Sequence, residues 1–338
     1  MKKEDMKVFH GLVNYGTQAG LLAQGLRDEG INAISAVYDD SYFQRQIDIN
    51  VTRDINSKNP VIRRFKRLRF LLSMFRKYNV FHFYFGSTLL PYNLDAPFYK
   101  LFGKKVVMEY LGTDIDLWLG KNGVDGHGRK IDRVKLVKRV YKQARQFDRQ
   151  LVCAPCYYQY VDNSIILPLA LDLSSFAFHP LKLRPGKELT IMHCPTNRQQ
   201  KKSDYIEAAL DKLKSAGYRF KYKCITNVSH NQLKEEYINS DIVIDQLNGW
   251  FGTVTIEAMA LGRPVVTGYY PHLCHYDERY ENMPIINADI YNIYDVLKDI
   301  LDGKYNLEEI SRKSREFVMK THNLKSVTKQ LISIYESL

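Results

Sequence analysis

The stretch that most constrains this chain runs from residue 242 to residue 269, IVIDQLNGWFGTVTIEAMALGRPVVTGY. It opens with an apolar, β-branched run that is short enough to be a buried parallel strand. A loop with two glycines, Gly249 and Gly252, then leads into a helical run at 253–261, which Gly262 ends before another apolar run. The pattern predicts a strand–loop–helix–strand unit whose glycine-containing loop leads into a helix N-terminus.

Such a helix N-terminus suits a phosphate group. Its free backbone N–H groups and the positive end of its dipole point at one spot. One turn further along, Glu257 can accept hydrogen bonds from vicinal hydroxyls such as those of a ribose, so the unit predicts a nucleotide site. The residues leave an alternative open, in which Gly249 and Gly252 only form a tight turn and Glu257 caps the helix.

Length and cysteine usage indicate the broad class. The 338 residues are enough for two domains. No apolar run approaches the length of a membrane span, and the first residues, MKKEDMKVFHG, turn acidic before a signal-peptide core develops. The five cysteines are odd in number and scattered, which favours a reducing, cytoplasmic compartment.

The excess of positive charge lies in the first half of the chain. Residues 1–172 hold 27 Lys and Arg against 17 Asp and Glu. Two basic segments, 63–77 and 129–149, have apolar residues at helical spacing, which predicts amphipathic helices: Ile62, Phe65, Leu68, Leu72 and Phe75 in the first, and Val134, Val137, Tyr141 and Ala144 in the second. They either cover a sheet with a solvated outer face or contact an anionic membrane surface or acceptor. No nucleic-acid-binding motif accompanies the charge.

Strands and helices alternate through both halves, which predicts two Rossmann-like doubly wound domains. The first domain is expected at 1–170 and the second at 171–323. The last segment, 324–338, is a further amphipathic helix, which we expect to pack back on the first domain.

The segment EAMALGRPVV at 257–266 closely resembles the donor-nucleotide signature of GT-B glycosyltransferases, specifically the family-4-like group (glycosyl transferases group 1) of bacterial polysaccharide type. The resemblance covers nearly the whole chain and is strongest at 189–266. It implies an α/β protein of GT-B architecture, with two Rossmann-like doubly wound domains facing across a cleft.

The resemblance also implies an activity. It is that of a retaining, metal-independent glycosyltransferase, which takes a nucleotide diphosphate-sugar, expected to be a UDP-sugar, as substrate and uses no cofactor. The basic charge of the first domain suggests a membrane-linked acceptor, a glycan or lipid-linked glycan in surface polysaccharide biosynthesis, used in the cytoplasm at the inner face of the membrane. The same charge suggests an anionic membrane surface as a partner, and without a nucleic-acid-binding motif we expect no nucleic acid.

The segment CPTNRQQK at 194–201 resembles the Arg…Lys-Gly element of this family. On that resemblance Arg198 and Lys201 stabilise the leaving diphosphate and Glu257 binds the ribose. The alternative is that both cations are solvated loop residues. Lys202 stands where the family has glycine, and we expect this departure to reshape the loop.

The remaining predicted site residues follow from the same resemblance. Donor-binding residues are expected at Asn14, Tyr15, Gly16, Thr196, Asn197, Thr226, Asn227, Gly249, Trp250, Gly252, Thr253 and Val254, and acceptor-side residues at Gly112, Thr113 and Asp114. Two family side chains that contact the donor sugar are missing, because Leu111 stands for a histidine and Gly249 for a glutamate. Their absence fits either a donor such as a deoxy sugar or a weakened enzyme.

Other hypotheses remain open at this stage. The absent side chains would suit a non-catalytic GT-B protein, such as a partner subunit or chaperone of another glycosyltransferase. A nucleotide-sugar epimerase shares the fold but matches the donor helix less well.

Asp114 and Asp116 have the spacing of a metal motif, but we interpret them as a turn, with no metal site. His82, inside an apolar strand, is expected to be a core residue.

Overall fold

The computed structural model describes residues 1–13, 15–38, 47–112, 114–115, 132–161, 163–247 and 249–338. The predicted site residues Asn14 and Thr113, and Asp116, lie outside them. Contacts within the described chain divide it into two compact units. The first consists of Met1–Leu117, Asp132–Ala170 and Leu324–Leu338, and the second contains Leu171–Asn323.

The first unit is built on a seven-stranded parallel sheet. Its strands are β1 (Lys7–Leu12), β2 (Asn32–Val37), β3 (Ile49–Asn50), β4 (Val80–Tyr84), β5 (Lys105–Tyr110), β6 (Arg149–Val152) and β7 (Ile165–Ile166). They are ordered β3-β2-β1-β4-β5-β6-β7, so the direction of winding reverses between β1 and β4. The described helices of this part are α1 (Gln18–Asp28), α2 (Val51–Asp54), α3 (Pro60–Lys77), α4 (Ala96–Leu101), α5 (Arg133–Gln146) and α6 (Pro155–Tyr158).

The second unit repeats this architecture around five parallel strands. They are β8 (Leu189–His193), β9 (Phe220–Cys224), β10 (Ile242–Ile244), β11 (Val265–Thr267) and β12 (Ile286–Asn287), ordered β12-β11-β10-β8-β9. The helices are α7 (Arg198–Lys201), α8 (Ser203–Ser215), α9 (His230–Ile238), α10 (Thr253–Ala260), α11 (Ile293–Leu301) and α12 (Leu307–Thr321). The C-terminal helix α13 (Leu324–Glu336) returns to the first unit, where Val327 and Leu331 share a core with Leu22 and Leu26 of α1.

The strand–loop–helix–strand unit forms as its sequence predicts. The three residues of β10 are fully buried, as expected of a central parallel strand. Helix α10 ends in a turn closed by hydrogen bonds from Gly262 N to Met259 O, 3.0 Å, and from Arg263 N to Ala258 O, 2.8 Å. Gly262 has a φ of 82°, which favours glycine.

The two basic segments form helices α3 and α5, but only the C-terminal end of the apolar stripe of α3 reaches the sheet, where Phe75 packs against Phe81 of β4 with ring centroids 6.0 Å apart. Leu71 and Met74 are its buried residues, whereas Phe65, Leu68 and Leu72 are exposed. The prediction of an amphipathic helix is therefore confirmed, and the explanation that this stripe only covers a sheet is wrong.

None of the described helices has both the length and the hydrophobicity that crossing a bilayer requires.

Candidate functional site

The loop before α10 faces open space. A Cβ atom added at Gly249 or at Gly252 would meet no other atom within 4 Å. Gly249 has a φ of 79°, which favours glycine. Within the described part of the chain, no side chain caps α10, which begins after Gly252. The first N–H groups of this helix are therefore available to an anion, as the sequence predicts.

A buried carboxylate connects this loop to the basic loop after β8. Asp245, directly after β10, accepts a hydrogen bond from Thr255 Oγ1, 2.8 Å, and pairs with the ammonium group of Lys201. Burial opposes the charge of Asp245, yet Lys201, Thr255 and the N–H of Gly252 hold its pKa below the usual range. Lys201 and Gly252 thus meet at one carboxylate, so a predicted phosphate-binding cation lies beside the predicted phosphate-binding loop.

The two predicted cations differ in their surroundings. Only 11% of the Lys201 side chain is exposed, against 47% for Arg198. Arg198 pairs with Glu207 and Asp204 at the start of α8, and the hydrogen bond to Glu207 raises the pKa of the guanidinium. The alternative that both are solvated loop cations therefore does not hold for Lys201. Arg198 is accessible, but a diphosphate would have to compete with its carboxylate partners.

Lys202 keeps a glycine-like backbone. Its φ of 61° and ψ of 38° lie in the left-handed region that favours glycine. Lys202 therefore adopts, with a side chain present, a conformation that glycine adopts most readily, and the expectation that it reshapes the loop stays a prediction. Asn197 holds the preceding turn, because its side chain accepts a hydrogen bond from Gln200 N, 3.0 Å.

Glu257 does not cap its helix. It lies in the second turn of α10, half-buried, and its Oε1 is 3.1 Å from His230 Nε2. His230 is the first residue of α9, whose N-terminus is held by a capping box between Ser229 and Gln232. His230 was not among the predicted site residues. The only sequence signal for it is a polar side chain following the turn after β9.

The other predicted donor residues of the second unit follow neighbouring strands. Because β9, β8 and β10 lie side by side and parallel, the loops after them share one edge of the sheet. Thr226 and Asn227 after β9 and Thr196 after β8 are exposed. Trp250 differs, because its ring is buried against Phe251, Tyr269 and Tyr280, and its carbonyl oxygen accepts a hydrogen bond from the Gln246 side chain. Among the described residues, no group of three or more His, Cys, Asp or Glu could hold a metal ion.

Those predicted residues of the first unit that the structure describes lie in the turns after β1 and β5. The ring of Tyr15 lies next to that of Phe85, with centroids 5.6 Å apart and planes tilted by 46°, and Gly16 has a φ of 51°. Asp114 is buried and accepts hydrogen bonds from Leu111 N, 3.2 Å, and Gly112 N, 2.9 Å. Burial raises the pKa of Asp114 to about 7, although the hydrogen bonds from Leu111 and Gly112 act to lower it. One Asp114 oxygen therefore closes a turn, as expected.

His82 belongs to a polar network inside the first unit. Its Nε2 is 3.0 Å from Glu109 Oε2, and its Nδ1 is 2.7 Å from the Tyr335 hydroxyl on α13. Burial lowers the pKa of His82 to about 3 and raises that of Glu109 to about 8. The expectation that His82 is a core residue is therefore confirmed.

Solved structures share this fold, whereas no protein-family model and no curated protein sequence matches the chain. A glycosyltransferase from Rickettsia africae ESF-5 superposes with a TM-score of 0.64, at 14% identity over 98% of each chain. Anabaena HepE, solved in complex with UDP-glucose, gives 0.60, at 11% identity over 98% of this chain and 100% of HepE. A putative UDP-N-acetylglucosamine 2-epimerase from Listeria monocytogenes gives 0.52, at 12% identity over 98% of this chain and 96% of that chain. The fold prediction is confirmed: this chain has the fold of the GT-B glycosyltransferases, with two Rossmann-like α/β domains.

Proposed function

We propose that this protein is a retaining, metal-independent glycosyltransferase of the family-4-like group. It would transfer a sugar from a nucleoside diphosphate-sugar, a UDP-sugar, to a glycan or lipid-linked acceptor in surface polysaccharide biosynthesis. The observation that carries the proposal is the meeting of Lys201 and Gly252 at the Asp245 carboxylate, beside the N-terminus of α10. UDP-glucose bound to HepE, which shares the fold, supports the choice of donor.

The proposed chemistry uses fixed positive charge at the leaving group. The bond between the anomeric carbon and the diphosphate oxygen breaks, and a bond from that carbon to the acceptor oxygen forms on the same face. Lys201, Arg198 and the N–H groups of Thr253 and Val254 would stabilise the departing diphosphate. Glu257 would hold the ribose hydroxyls, and a donor phosphate oxygen would take the acceptor proton.

The setting we propose for this reaction is the cytoplasm, at the inner face of a membrane that carries the acceptor. Four of the five cysteines are buried and all five are free, which suits a reducing compartment. We propose that no cofactor takes part, since the nucleotide-sugar is itself the substrate.

The first experiment is thermal stabilisation by a panel of nucleotides and nucleotide-sugars. A ligand that binds only the folded state raises the melting temperature by mass action. We expect UDP or a UDP-sugar to give the largest shift and Glu257→Ala to reduce it. Glu316→Ala, at an exposed α12 position, is the control and should keep the full shift. No shift with any nucleotide would contradict the proposal.

A second experiment separates transfer from the two other functions. With a UDP-sugar bound, a transferase releases UDP faster when an acceptor glycan is added. An epimerase converts the sugar without an acceptor, and a non-catalytic partner subunit does neither. The non-catalytic alternative remains worth testing because Leu111, which is buried, and Gly249 offer no polar side chain to the sugar.

A further inference from the structure

Helix α3 presents an apolar stripe to solvent. Val61, Phe65, Leu68 and Leu72 recur at helical spacing, and all four are exposed, Phe65 to 66%. The side of the helix that packs on the protein carries Leu71 and Met74 instead. A stripe of large exposed apolar side chains on one helix is uncommon on a soluble surface and indicates an interaction site.

The stripe continues onto α4 across a groove of about 560 Å³. Leu72 and Phe75 of α3 line one side of this groove, and Phe98 and Phe102 line the other. Phe98, Phe102 and the neighbouring Leu101 are all exposed, Leu101 to 75%. The two helices therefore form one apolar surface, which we call the α3–α4 surface.

Cations far outnumber acidic residues in the segment of the chain that carries this surface. Residues 51–105 hold 12 Lys and Arg against two Asp and Glu. Of these two, Asp95 is buried and hydrogen-bonded to Thr88 and to the Tyr99 hydroxyl. On a helix of 3.6 residues per turn, Arg69 and Arg76 flank one side of the stripe and Arg64 flanks the other.

We propose that the α3–α4 surface binds the headgroup region of an anionic lipid bilayer. Exposed phenylalanine and leucine side chains flanked by arginines match the boundary between acyl chains and negatively charged headgroups. A protein partner fits less well, because it would have to neutralise cations on both sides of the stripe. The surface belongs to the first unit, whereas Arg198, Lys201 and Glu257 belong to the second. The inference therefore does not depend on the chemistry of the donor site, although it suits the proposed lipid-linked acceptor.

Co-sedimentation of the full chain with vesicles tests the proposal. We expect the protein to pellet with phosphatidylcholine vesicles that contain about 30 mol% phosphatidylglycerol, and to stay in solution with pure phosphatidylcholine. The double variant Phe65→Ser/Leu101→Ser should lower the partition coefficient more than about tenfold, because two exposed apolar side chains no longer enter the bilayer. The control Tyr291→Ser, at a 79% exposed ring of the second unit, should leave it unchanged.

A charge series gives a second readout. Arg69→Gln/Arg76→Gln should weaken anionic vesicle binding about fivefold for each cation removed, whereas Lys212→Gln/Lys214→Gln on α8 should not. About 0.5 M NaCl should weaken binding of the wild type. Equal binding to neutral and anionic vesicles, or no binding, would overturn the proposal.

Two further measurements remove ambiguity. If the wild type forms a dimer that Phe65→Ser/Leu101→Ser abolishes, the surface pairs two copies and the membrane proposal fails. UDP stabilisation is measured on the same variants. Vesicle binding without any nucleotide binding would support the membrane proposal and contradict the proposed function. Nucleotide binding without vesicle binding would support the proposed function and contradict the membrane proposal.

Discussion

Replacing Asp245 by Asn tests the central contact of the candidate site. The change keeps the shape of the side chain and an oxygen for Thr255, but leaves the Lys201 ammonium without its counter-charge. Both partners are buried, with side chains 1% and 11% exposed. Removing one partner of a buried ion pair costs about 3–5 kcal/mol. Because Lys201 retains some access to water, we expect about 3 kcal/mol.

The assay is thermal and urea unfolding of wild type and variant. A loss of about 3 kcal/mol corresponds to a melting temperature lower by roughly 6–12 °C for a unit of this size. The pKa of Asp245 is lower in the folded state, so its contribution is present above the usual aspartate pKa and disappears as the pH falls through the folded value. The matched control is Glu316→Gln, which breaks an exposed pair with Arg312 and should cost under about 0.5 kcal/mol. If Asp245→Asn costs no more than this control, the reasoning is refuted.

Three further predictions concern single positions. Lys202→Gly should raise the free energy of unfolding by about 0.5–1 kcal/mol, because it relieves a left-handed backbone. The control Lys212→Gly, in the last turn of α8, should lower it by up to about 1 kcal/mol, and a destabilised Lys202→Gly in urea unfolding would contradict this prediction. Gly252→Ala should change the free energy of unfolding by no more than about 0.5 kcal/mol, since the added Cβ meets nothing within 4 Å. It should weaken UDP binding in calorimetry, because the added methyl group would occupy space that the ligand needs beside this loop. An unchanged affinity would argue against a ligand at this loop. Burial raises the pKa of Glu109 from 4.5 to about 8, so between these pH values the folded protein holds a proton that the unfolded chain has lost. The stability of the wild type relative to Glu109→Gln should therefore fall as the pH rises through this range. A difference in urea midpoints that does not change with pH would contradict this prediction.

The sequence predicted the features that depend on local chain geometry. The two-glycine loop, the helix after it and the turn at Gly262 are recognisable because each needs particular residues at fixed spacing. The contact between Asp245 and Lys201 was not predicted, because the two residues are 44 positions apart and only the parallel pairing of β8 with β10 brings their loops together. A lone aspartate directly after a buried strand is the one signal that could have pointed to it.

The apolar stripe of α3 shows a second limit. A period of 3.6 residues identifies a helix with an apolar side but does not tell whether that side meets a sheet or solvent. Leu71 and Met74, which the structure buries, lie next to Leu68 and Leu72, which it exposes. Only the packing of the helix on the first unit decides between them.

The departures from the family pattern differ in what they remove. At Lys202 the missing glycine affects only backbone freedom, and the loop keeps its left-handed conformation because Asn197 caps the turn and Lys201 is anchored at Asp245. At Leu111 and Gly249 the missing group is a polar side chain, and no backbone adjustment can supply its hydrogen bonds to a sugar hydroxyl. In the proposed donor site, the cations and the helix N-terminus that would hold the nucleotide are therefore present, whereas two side chains that would contact the sugar are missing. We accordingly expect this chain to differ from the family in the sugar it accepts rather than in the nucleotide.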